Sequence, residues 1–180
     1  MMVLGIDKLL ELVHEKKLIE GLCERELTNP EGTGFDLRLG ELFTISGEGY
    51  LGEKERKTCD ITSVAKYEEG KLITYTIKPG EFYLIKTIEK VNIPDNLVAE
   101  FKPRTTMQRM GIFFRASNGA PGYSGELTFA ISNVGPCEVR IELGARVCQV
   151  IFHEVKGKTS LYRGQWQGGR VTTEGKEVQV

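Results

Sequence analysis

The stretch from Lys102 to Gly111 holds the side chains of this sequence that are best suited to bind an anion. Arg104 and Arg109 flank the adjacent hydroxyls of Thr105 and Thr106, directly after an apolar run. Guanidinium groups neutralise phosphate and bind its oxygens in pairs, and hydroxyls donate hydrogen bonds to them. If the stretch forms a helical turn, its free backbone N–H groups add a third means of binding phosphate. A solvated helix start that binds nothing is the alternative interpretation.

Two further segments place polar groups beside glycines or inside an apolar strand. Gly122 and Gly125 bracket Tyr123, which suits a turn where the backbone approaches a ligand and a ring packs on it. A glycine-rich hairpin with a structural tyrosine is the alternative. Gln149 lies inside the apolar run 147–153, and a buried amide must find hydrogen-bond partners. A ligand or a backbone carbonyl would serve.

Short apolar runs separated by turn residues make up most of the chain and predict the strands of an all-β sandwich or barrel. The predicted strands cover residues 35–39, 72–77, 82–87, 91–94, 97–101, 111–116, 126–132, 137–142 and 147–153. Apolar residues at helical spacing predict one N-terminal helix within residues 1–21. The polar residues 22–34 predict a loop, and the polar, glycine-rich residues 158–180 predict a lid or a tail. We expect one domain over residues 1–180.

Composition and charge exclude several classes of function. The formal net charge of −1 gives the chain no general attraction to nucleic acid or to an anionic membrane. No apolar stretch approaches the roughly 20 residues that cross a bilayer, and the start of the chain does not suit a signal peptide, so a cytoplasmic protein is expected. The four cysteines form no CxxC pair and only two histidines are present, so zinc is not expected.

Five segments, taken in order, resemble the conserved blocks of the dUTPase and dCTP deaminase superfamily. They are Gly34–Gly40, Arg104–Thr106 with Arg109, Pro121–Gly125, Gly144–Gln149 and Tyr162–Gly169. The layout is similar to the dCTP deaminase family and nearest to its archaeal-type dUTPase branch. This resemblance implies a distorted jelly-roll β-barrel and a homotrimer whose active sites are shared between subunits. It also implies Mg²⁺ carried by the triphosphate of the substrate, with no direct protein ligand.

The resemblance also implies roles for individual residues. The phosphate-binding residues would be Arg104, Thr105, Thr106, Arg109 and Gln149. The nucleoside would lie against Gly122, Tyr123 and Gly125, with the tyrosine ring on the deoxyribose. The lid that closes over the nucleotide would contain Tyr162, Gln165 and Gly168.

Two alanines occupy positions where the family carries catalytic carboxylates. Deaminases of the family use a glutamate to move protons at the base, and Ala130 occupies its position. The aspartate that orients the attacking water in dUTPases corresponds to Ala120. Asp36 and Glu126 are the nearest carboxylates that could compensate, and Asp36 is favoured because it lies in a resembling block. A structural carboxylate and a solvated strand end are the respective alternatives.

The expected function is that of a pyrimidine deoxynucleoside triphosphate hydrolase, most specifically a dUTP diphosphatase that converts dUTP to dUMP and pyrophosphate. Asp36 and Arg109 would be its catalytic residues. Two alternatives stay open: a dCTP deaminase that produces dUTP, and a catalytically silent deoxynucleotide-binding protein, which the two alanines favour. The sequence does not decide between uracil and cytosine.

Overall fold

The computed structural model describes residues 2–179, and strands dominate it. The strands are β1 (Met2–Val3), β2 (Ile19–Glu20), β3 (Gly34–Ser46), β4 (Tyr50–Leu51), β5 (Glu55–Lys57), β6 (Asp60–Lys66), β7 (Thr74–Ile77), β8 (Phe82–Asn92), β9 (Leu97–Pro103), β10 (Ile112–Arg115), β11 (Ser124–Asn133), β12 (Val139–Glu142), β13 (Arg146–Glu154) and β14 (Glu177–Val178). The helices of the described residues are α1 (Ile6–Lys16), α2 (Glu24–Thr28) and α3 (Thr105–Arg109). The predicted all-β class is confirmed.

The strands of the described residues pair antiparallel throughout, and nine of them join in one sheet. Its longest path runs β1-β13-β3-β8-β11-β10, while β9 pairs with β13, β6 with β3 and β2 with β8. Two small sheets stand apart from it, β12-β7 and β14-β5-β4. The large sheet curls into a half-barrel, and its closure as a jelly roll stays a prediction.

The core lies along one face of this sheet because its long strands alternate between apolar and polar residues. Successive side chains of a strand point to opposite faces, so every second residue of β8 and β11 is buried. The same alternation buries Phe35 and Leu37 of β3 and Val150 and Phe152 of β13. The opposite faces of these strands are therefore free to carry polar groups.

The N-terminal helix is shorter than predicted. It begins at Ile6 and ends at Lys16, because Lys17 adopts a left-handed conformation with φ 53° and its N–H donates to the carbonyl of Leu12. Leu18, the last apolar residue of the helical spacing, lies beyond the helix, and the next residue, Ile19, belongs to β2 and is buried where β2 pairs with β8. The prediction of one helix over residues 1–21 was wrong in this part.

Other differences from the predicted elements lie in short segments. The predicted loop 22–34 contains α2, and residues 47–60, for which no strand is predicted, contain β4 and β5. The tail contains a strand that the sequence did not predict, β14, which pairs with β5. Within residues 2–179, no helix has the length and the apolar character that a bilayer crossing requires.

Candidate functional site

Three strands carry a row of polar residues on their outer face. Gln149 of β13 lies opposite Asp36 of β3 on one side and opposite Lys102 of β9 on the other. Residues directly opposite each other on paired strands point to the same face. The pleat of the sheet therefore brings together two of the predicted site residues, Asp36 and Gln149, which are far apart in the sequence.

Asp36 is buried under two arginines. Its side chain is almost inaccessible, and its Oδ2 accepts a hydrogen bond from Arg146 Nη1 at 3.0 Å. The same oxygen forms an ion pair with Arg104 Nη1. Arg104 follows β9 directly and is the N-cap residue of α3, which directs its guanidinium back over β3. The phosphate-binding arginine predicted from the sequence is thus paired with the predicted catalytic carboxylate.

Helix α2 adds two more charged residues to this cluster. Glu26 is 1% exposed, and its Oε2 accepts the backbone N–H of Asp36 at 2.9 Å. Its Oε1 pairs with Arg25, whose Nη1 also lies 3.9 Å from Asp36 Oδ2. Burial, together with the nearby charges of Arg146 and Arg25, lowers the pKa of the Arg104 guanidinium. Two buried carboxylates therefore hold three guanidinium groups together, which is an arrangement suited to a further anion.

Two members of this cluster, Asp36 and Arg104, border a cavity of about 340 Å³, which we call the anion pocket. The side chains that define it are Glu31, Asp36, Lys102, Arg104, Thr105 and Gln149. Four of the predicted site residues thus meet here. Gln149 Nε2 donates to the carbonyl of Glu31 at 3.2 Å, which is the backbone partner that the sequence left open.

Thr106 and Arg109 do not line the anion pocket of this chain. Both are exposed on α3, whose buried Met107 anchors the helix to the core. The helical turn expected over this stretch is confirmed. The exposed Thr106 and Arg109 are placed where they can meet a ligand or another molecule from outside.

A second cavity, of about 390 Å³, is lined by the predicted nucleoside residue Tyr123, and we call it the nucleoside pocket after that prediction. Its aromatic walls are Phe101, Tyr123, Phe129, Tyr162 and Trp166. Among residues 2–179, no carboxylate, histidine or cysteine lines it. Its one charged lining residue is Arg170, whose guanidinium pairs with Glu177. The pocket can enclose a flat apolar face, but among the described residues it offers no carboxylate, histidine or cysteine for acid–base catalysis.

Tyr123 is held rigidly in this pocket. Its side chain is buried, and its hydroxyl donates to the carbonyl of Glu126 at 2.6 Å. Its ring packs edge-to-face against Tyr162, with centroids 5.4 Å apart. Burial raises the pKa of Tyr123 to about 12, so the phenol remains neutral. The predicted nucleoside residue and the predicted lid residue thus touch in one chain.

The tail crosses the nucleoside segment at the two predicted glycines. Gly168 N–H donates to the carbonyl of Ser124 at 2.8 Å. Gly125, with φ 151°, faces the backbone of Gly168 and Gly169 at a distance that a Cβ atom would not allow. Gly122 has a φ of 82°, which favours glycine, and a Cβ atom there would lie in tight contact with the side chain of the tail residue Leu161. In this chain the two glycines make room for the tail.

Gln165, predicted as a lid residue, points away from the nucleoside pocket. Its side chain bonds to Arg56 of β5 and donates to the carbonyl of Val178 at 2.8 Å. Trp166 lines the pocket instead, and the Arg56 guanidinium lies 4.7 Å from its ring centroid. The β4–β5 hairpin and Trp166 were missed from the sequence, although Trp166 is the single tryptophan of the chain and lies in a resembling block.

The two pockets lie on opposite sides of β9. Phe101 lines the nucleoside pocket, whereas the next residue, Lys102, lines the anion pocket. Adjacent side chains of a strand point to opposite faces. The pockets share no lining residue, so the sheet separates them within one chain.

Comparison with known proteins identifies the family of the chain. A family model described as dCTP deaminase-like matches residues 3–155. The chain belongs to the dCTP deaminase-like family. It is 31% identical over 159 residues to a dCTP deaminase, dUMP-forming, of Dictyoglomus turgidum, covering 86% of this chain and 81% of the relative. It is 30% identical over 174 residues to the enzyme of the same name from Methanobrevibacter smithii, covering 91% and 86%.

A solved structure shares the fold. The 2′-deoxycytidine 5′-triphosphate deaminase of Agrobacterium tumefaciens superposes with a TM-score of 0.63 at 18% identity. The match covers 83% of this chain and 46% of that one, so the chain spans less than half of the solved protein. The superfamily resemblance read from the five sequence blocks is thereby confirmed.

Ala120 and Ala130, the two alanines predicted from the resemblance to replace carboxylates, both lie at the nucleoside pocket. Ala120 lines it directly. Ala130 of β11 lies opposite Leu84 and two residues from Thr128 on the same face, and both of these line the pocket. Glu126 does not line it, and its Oε2 lies 3.7 Å from Lys86 Nζ. Of the two candidate compensating carboxylates, only Asp36 borders a pocket.

A magnesium ion would find few protein ligands here. Residues 2–179 contain no group of three or more His, Cys, Asp or Glu side chains that could hold a metal. Both carboxylates that line the anion pocket, Asp36 and Glu31, are paired with arginines. This arrangement fits an ion that is carried by the triphosphate and takes its ligands from the phosphates and water.

Proposed function

We propose that this chain is a pyrimidine deoxynucleoside triphosphate hydrolase that converts dUTP to dUMP and pyrophosphate. The observation that carries the proposal is the distribution of carboxylates between the two pockets. The nucleoside pocket has none, whereas the anion pocket has Asp36 and Glu31 beside its cations. Deamination needs proton-transferring side chains at the ring of the nucleobase. Phosphoryl chemistry needs positioned charge at the phosphates instead.

The anion pocket supplies the groups for the phosphates. Arg104 and Thr105 bind them from the start of α3, and Gln149 binds them from β13. Thr106 and Arg109 act from the exposed face of the same helix. Bound Mg²⁺ would neutralise part of the triphosphate charge. A triphosphate oxygen replaces Asp36 at Arg104, because charge-assisted bonds to phosphate are as strong as those to carboxylate.

Asp36, released from Arg104, orients the attacking water at the α-phosphate. The water oxygen forms a bond to the α-phosphorus, the bond between that phosphorus and the bridging oxygen to the β-phosphate breaks, and pyrophosphate leaves. The proton of the water passes to the Asp36 carboxylate. Arg109 stabilises the charge that builds up on the phosphate oxygens. The remaining barrier is lowered by holding water and phosphate in line.

The nucleoside lies against Tyr123, whose rigid ring packs on the deoxyribose and leaves no room for a 2′-hydroxyl. Tyr162 and the neighbouring tail cover it and exclude bulk water. The curated relatives are named dCTP deaminase, dUMP-forming, and these names support a pyrimidine deoxynucleotide as ligand. A cytoplasmic location suits such a substrate.

The active unit is a homotrimer with sites shared between chains. Strand β9 supports this arrangement, because one nucleotide cannot reach both the nucleoside pocket and the anion pocket of the same chain through the sheet. Phosphates held by one subunit then meet a nucleoside held by its neighbour. Light scattering should report a trimer, and a stable monomer with full activity would contradict this part of the proposal.

The reaction is tested by incubating the purified chain with dUTP, dCTP or dTTP and Mg²⁺ and separating the products by chromatography. We expect dUMP and pyrophosphate from dUTP and no conversion of dCTP to dUTP. Deamination of dCTP would show that a carboxylate from elsewhere reaches the base, and would replace this proposal by the deaminase.

A second candidate function is a catalytically silent nucleotide-binding protein. Two observations favour it: Ala120 removes the usual water-orienting carboxylate, and Asp36 is held by two arginines. Under this function the wild type binds dUTP without turnover, and Ala120→Asp creates turnover. Rapid turnover by the wild type would eliminate it.

A further inference from the structure

Arg25 lies beside the anion pocket, although no pattern in the sequence singles it out. It belongs to α2, within the stretch predicted as a loop. Its Nη1 pairs with the buried Glu26, which fixes the guanidinium in place. Its other terminal nitrogen, Nη2, forms an ion pair of 3.2 Å with Glu31 Oε2. One half of this guanidinium is thus anchored in the protein, and the other half holds a carboxylate that lines the anion pocket.

Glu31 itself is loosely held. Its side chain is 78% exposed, and its loop contains Gly32 in a left-handed conformation with φ 74°. An exposed ion pair adds little to stability, because water and salt screen it. The backbone of the same residue accepts the hydrogen bond from Gln149 Nε2. One short loop therefore occupies two potential phosphate ligands, Arg25 through its side chain and Gln149 through its carbonyl.

The charges around the pocket also favour exchange. Three guanidinium groups, those of Arg25, Arg104 and Arg146, lie within 4 Å of Asp36 Oδ2. The buried Asp36 and Glu26 neutralise two of these charges, and the exposed Glu31 neutralises the third. Removal of Glu31 from Arg25 leaves one unbalanced positive charge at the edge of the anion pocket.

We infer that Arg25 is a further phosphate-binding residue and that Glu31 occupies its place as a displaceable carboxylate. A triphosphate entering the anion pocket takes over Arg25 Nη2 from Glu31, and the loop withdraws and frees Gln149. Glu31 thereby lowers the affinity of the pocket for anions and makes binding depend on this exchange. The inference deepens the proposed function, on which it rests for the identity of the natural ligand.

A double-mutant cycle tests the exchange, with inorganic tripolyphosphate as the probe and calorimetry in the absence of metal as the readout. Glu31→Gln should tighten tripolyphosphate binding about 3- to 10-fold, since it removes a competing carboxylate. Arg25→Ala should weaken it about 10- to 100-fold, since it removes a charge-assisted partner. In the Arg25→Ala background, Glu31→Gln should give no further gain. Glu68→Gln, which breaks a distant exposed pair with Lys71, is the matched control and should change nothing.

Several outcomes would overturn the inference. Equal tightening by Glu31→Gln in the presence and absence of Arg25 would show that Glu31 acts only as a general charge. Unchanged affinity of Glu31→Gln would show that it does not compete at all, and this variant alters an exposed side chain, so it does not depend on Arg25→Ala folding. A coupled result without dUTP turnover would uphold the exchange and reject the proposed reaction. Normal dUTP turnover with no coupling would reject the exchange and uphold the proposed reaction.

Discussion

The anion pocket and the nucleoside pocket differ in how their polar groups are satisfied. In the anion pocket each lining carboxylate has a cation, Asp36 through Arg104 and Glu31 through Arg25. At the nucleoside pocket, the hydroxyl of Thr128 and the Nε of Arg56, which covers Trp166, are buried without a hydrogen-bond partner within residues 2–179. The lining carboxylates of the anion pocket are thus all paired with arginines, whereas the nucleoside pocket has buried polar atoms without hydrogen-bond partners in the described part of the chain.

This difference indicates how each pocket would bind its ligand. A buried charge without a partner is costly, so the arginines of the anion pocket keep carboxylates as partners until phosphate replaces them. The affinity of the anion pocket for phosphate would therefore be set by the difference in free energy between the arginine–phosphate pairs and the arginine–carboxylate pairs that they replace. The nucleoside pocket instead binds by enclosing an apolar face among aromatic rings. Ala120 and Ala130 both lie at this second region, and the ion pairs around Asp36 do not involve them.

The largest expected effect concerns Asp36. Asp36→Asn keeps the volume of the side chain but removes the charge that would align water at the α-phosphate. We expect pyrophosphate release from dUTP to fall by about 10²–10⁴-fold. The rate should be measured on protein whose folding has been checked by circular dichroism, because Arg104 and Arg146 also lose a partner.

Glu126→Gln is the matched control, since Glu126 is the other candidate carboxylate and does not line either pocket. It should retain most of the activity. A comparison in which Glu126→Gln abolishes turnover and Asp36→Asn does not would reverse the assignment. It would also place the chemistry on the nucleoside side of the molecule.

The next effect concerns Arg109, which is exposed in one chain and lines neither pocket. If it binds the triphosphate, Arg109→Ala should cost about 2–4 kcal/mol of dUTP binding. Its exposed position means that the melting temperature should stay unchanged. Calorimetry that finds unchanged dUTP affinity in the folded variant would remove Arg109 from the site.

The sequence predicted the anion pocket better than the nucleoside pocket, for a physical reason. Asp36 and Gln149 lie in contiguous motifs on long strands, and the two-residue period of those strands fixes which face they share. Arg104 directly follows β9, as the N-cap residue of α3. Arg25 and Glu26 could not be predicted, because a buried glutamate in a polar five-residue helix leaves no periodic signal.

The cover of the nucleoside pocket escaped prediction because it depends on contacts between distant parts of the chain. Strands β4, β5 and β14 have only two or three residues each, too few for an alternating pattern. Gln165 resembles a lid residue in its motif, but its contact with Arg56 spans 109 positions. The tail sequence predicts that a segment can cover the pocket, and only the tertiary structure shows which of its side chains face inward.

The smallest change is expected at two threonines near the β8–β11 register shift. A comparison of the two tests whether the buried hydroxyl at the nucleoside pocket lacks a hydrogen bond in solution. Thr87 Oγ1 donates to the carbonyl of Glu89 at 2.7 Å and accepts from the Leu127 N–H at 2.9 Å, whereas Thr128 Oγ1 has no partner within residues 2–179. Thr87→Val should therefore lower the free energy of unfolding by about 1–3 kcal/mol, because it orphans a buried N–H. Thr128→Val removes an unsatisfied hydroxyl and should leave that free energy unchanged within about 0.5 kcal/mol or raise it. Urea denaturation of the two variants under one condition gives both values. A loss of stability in Thr128→Val as large as that in Thr87→Val would mean that the Thr128 hydroxyl is bonded in solution, and the contrast between the two pockets would no longer hold.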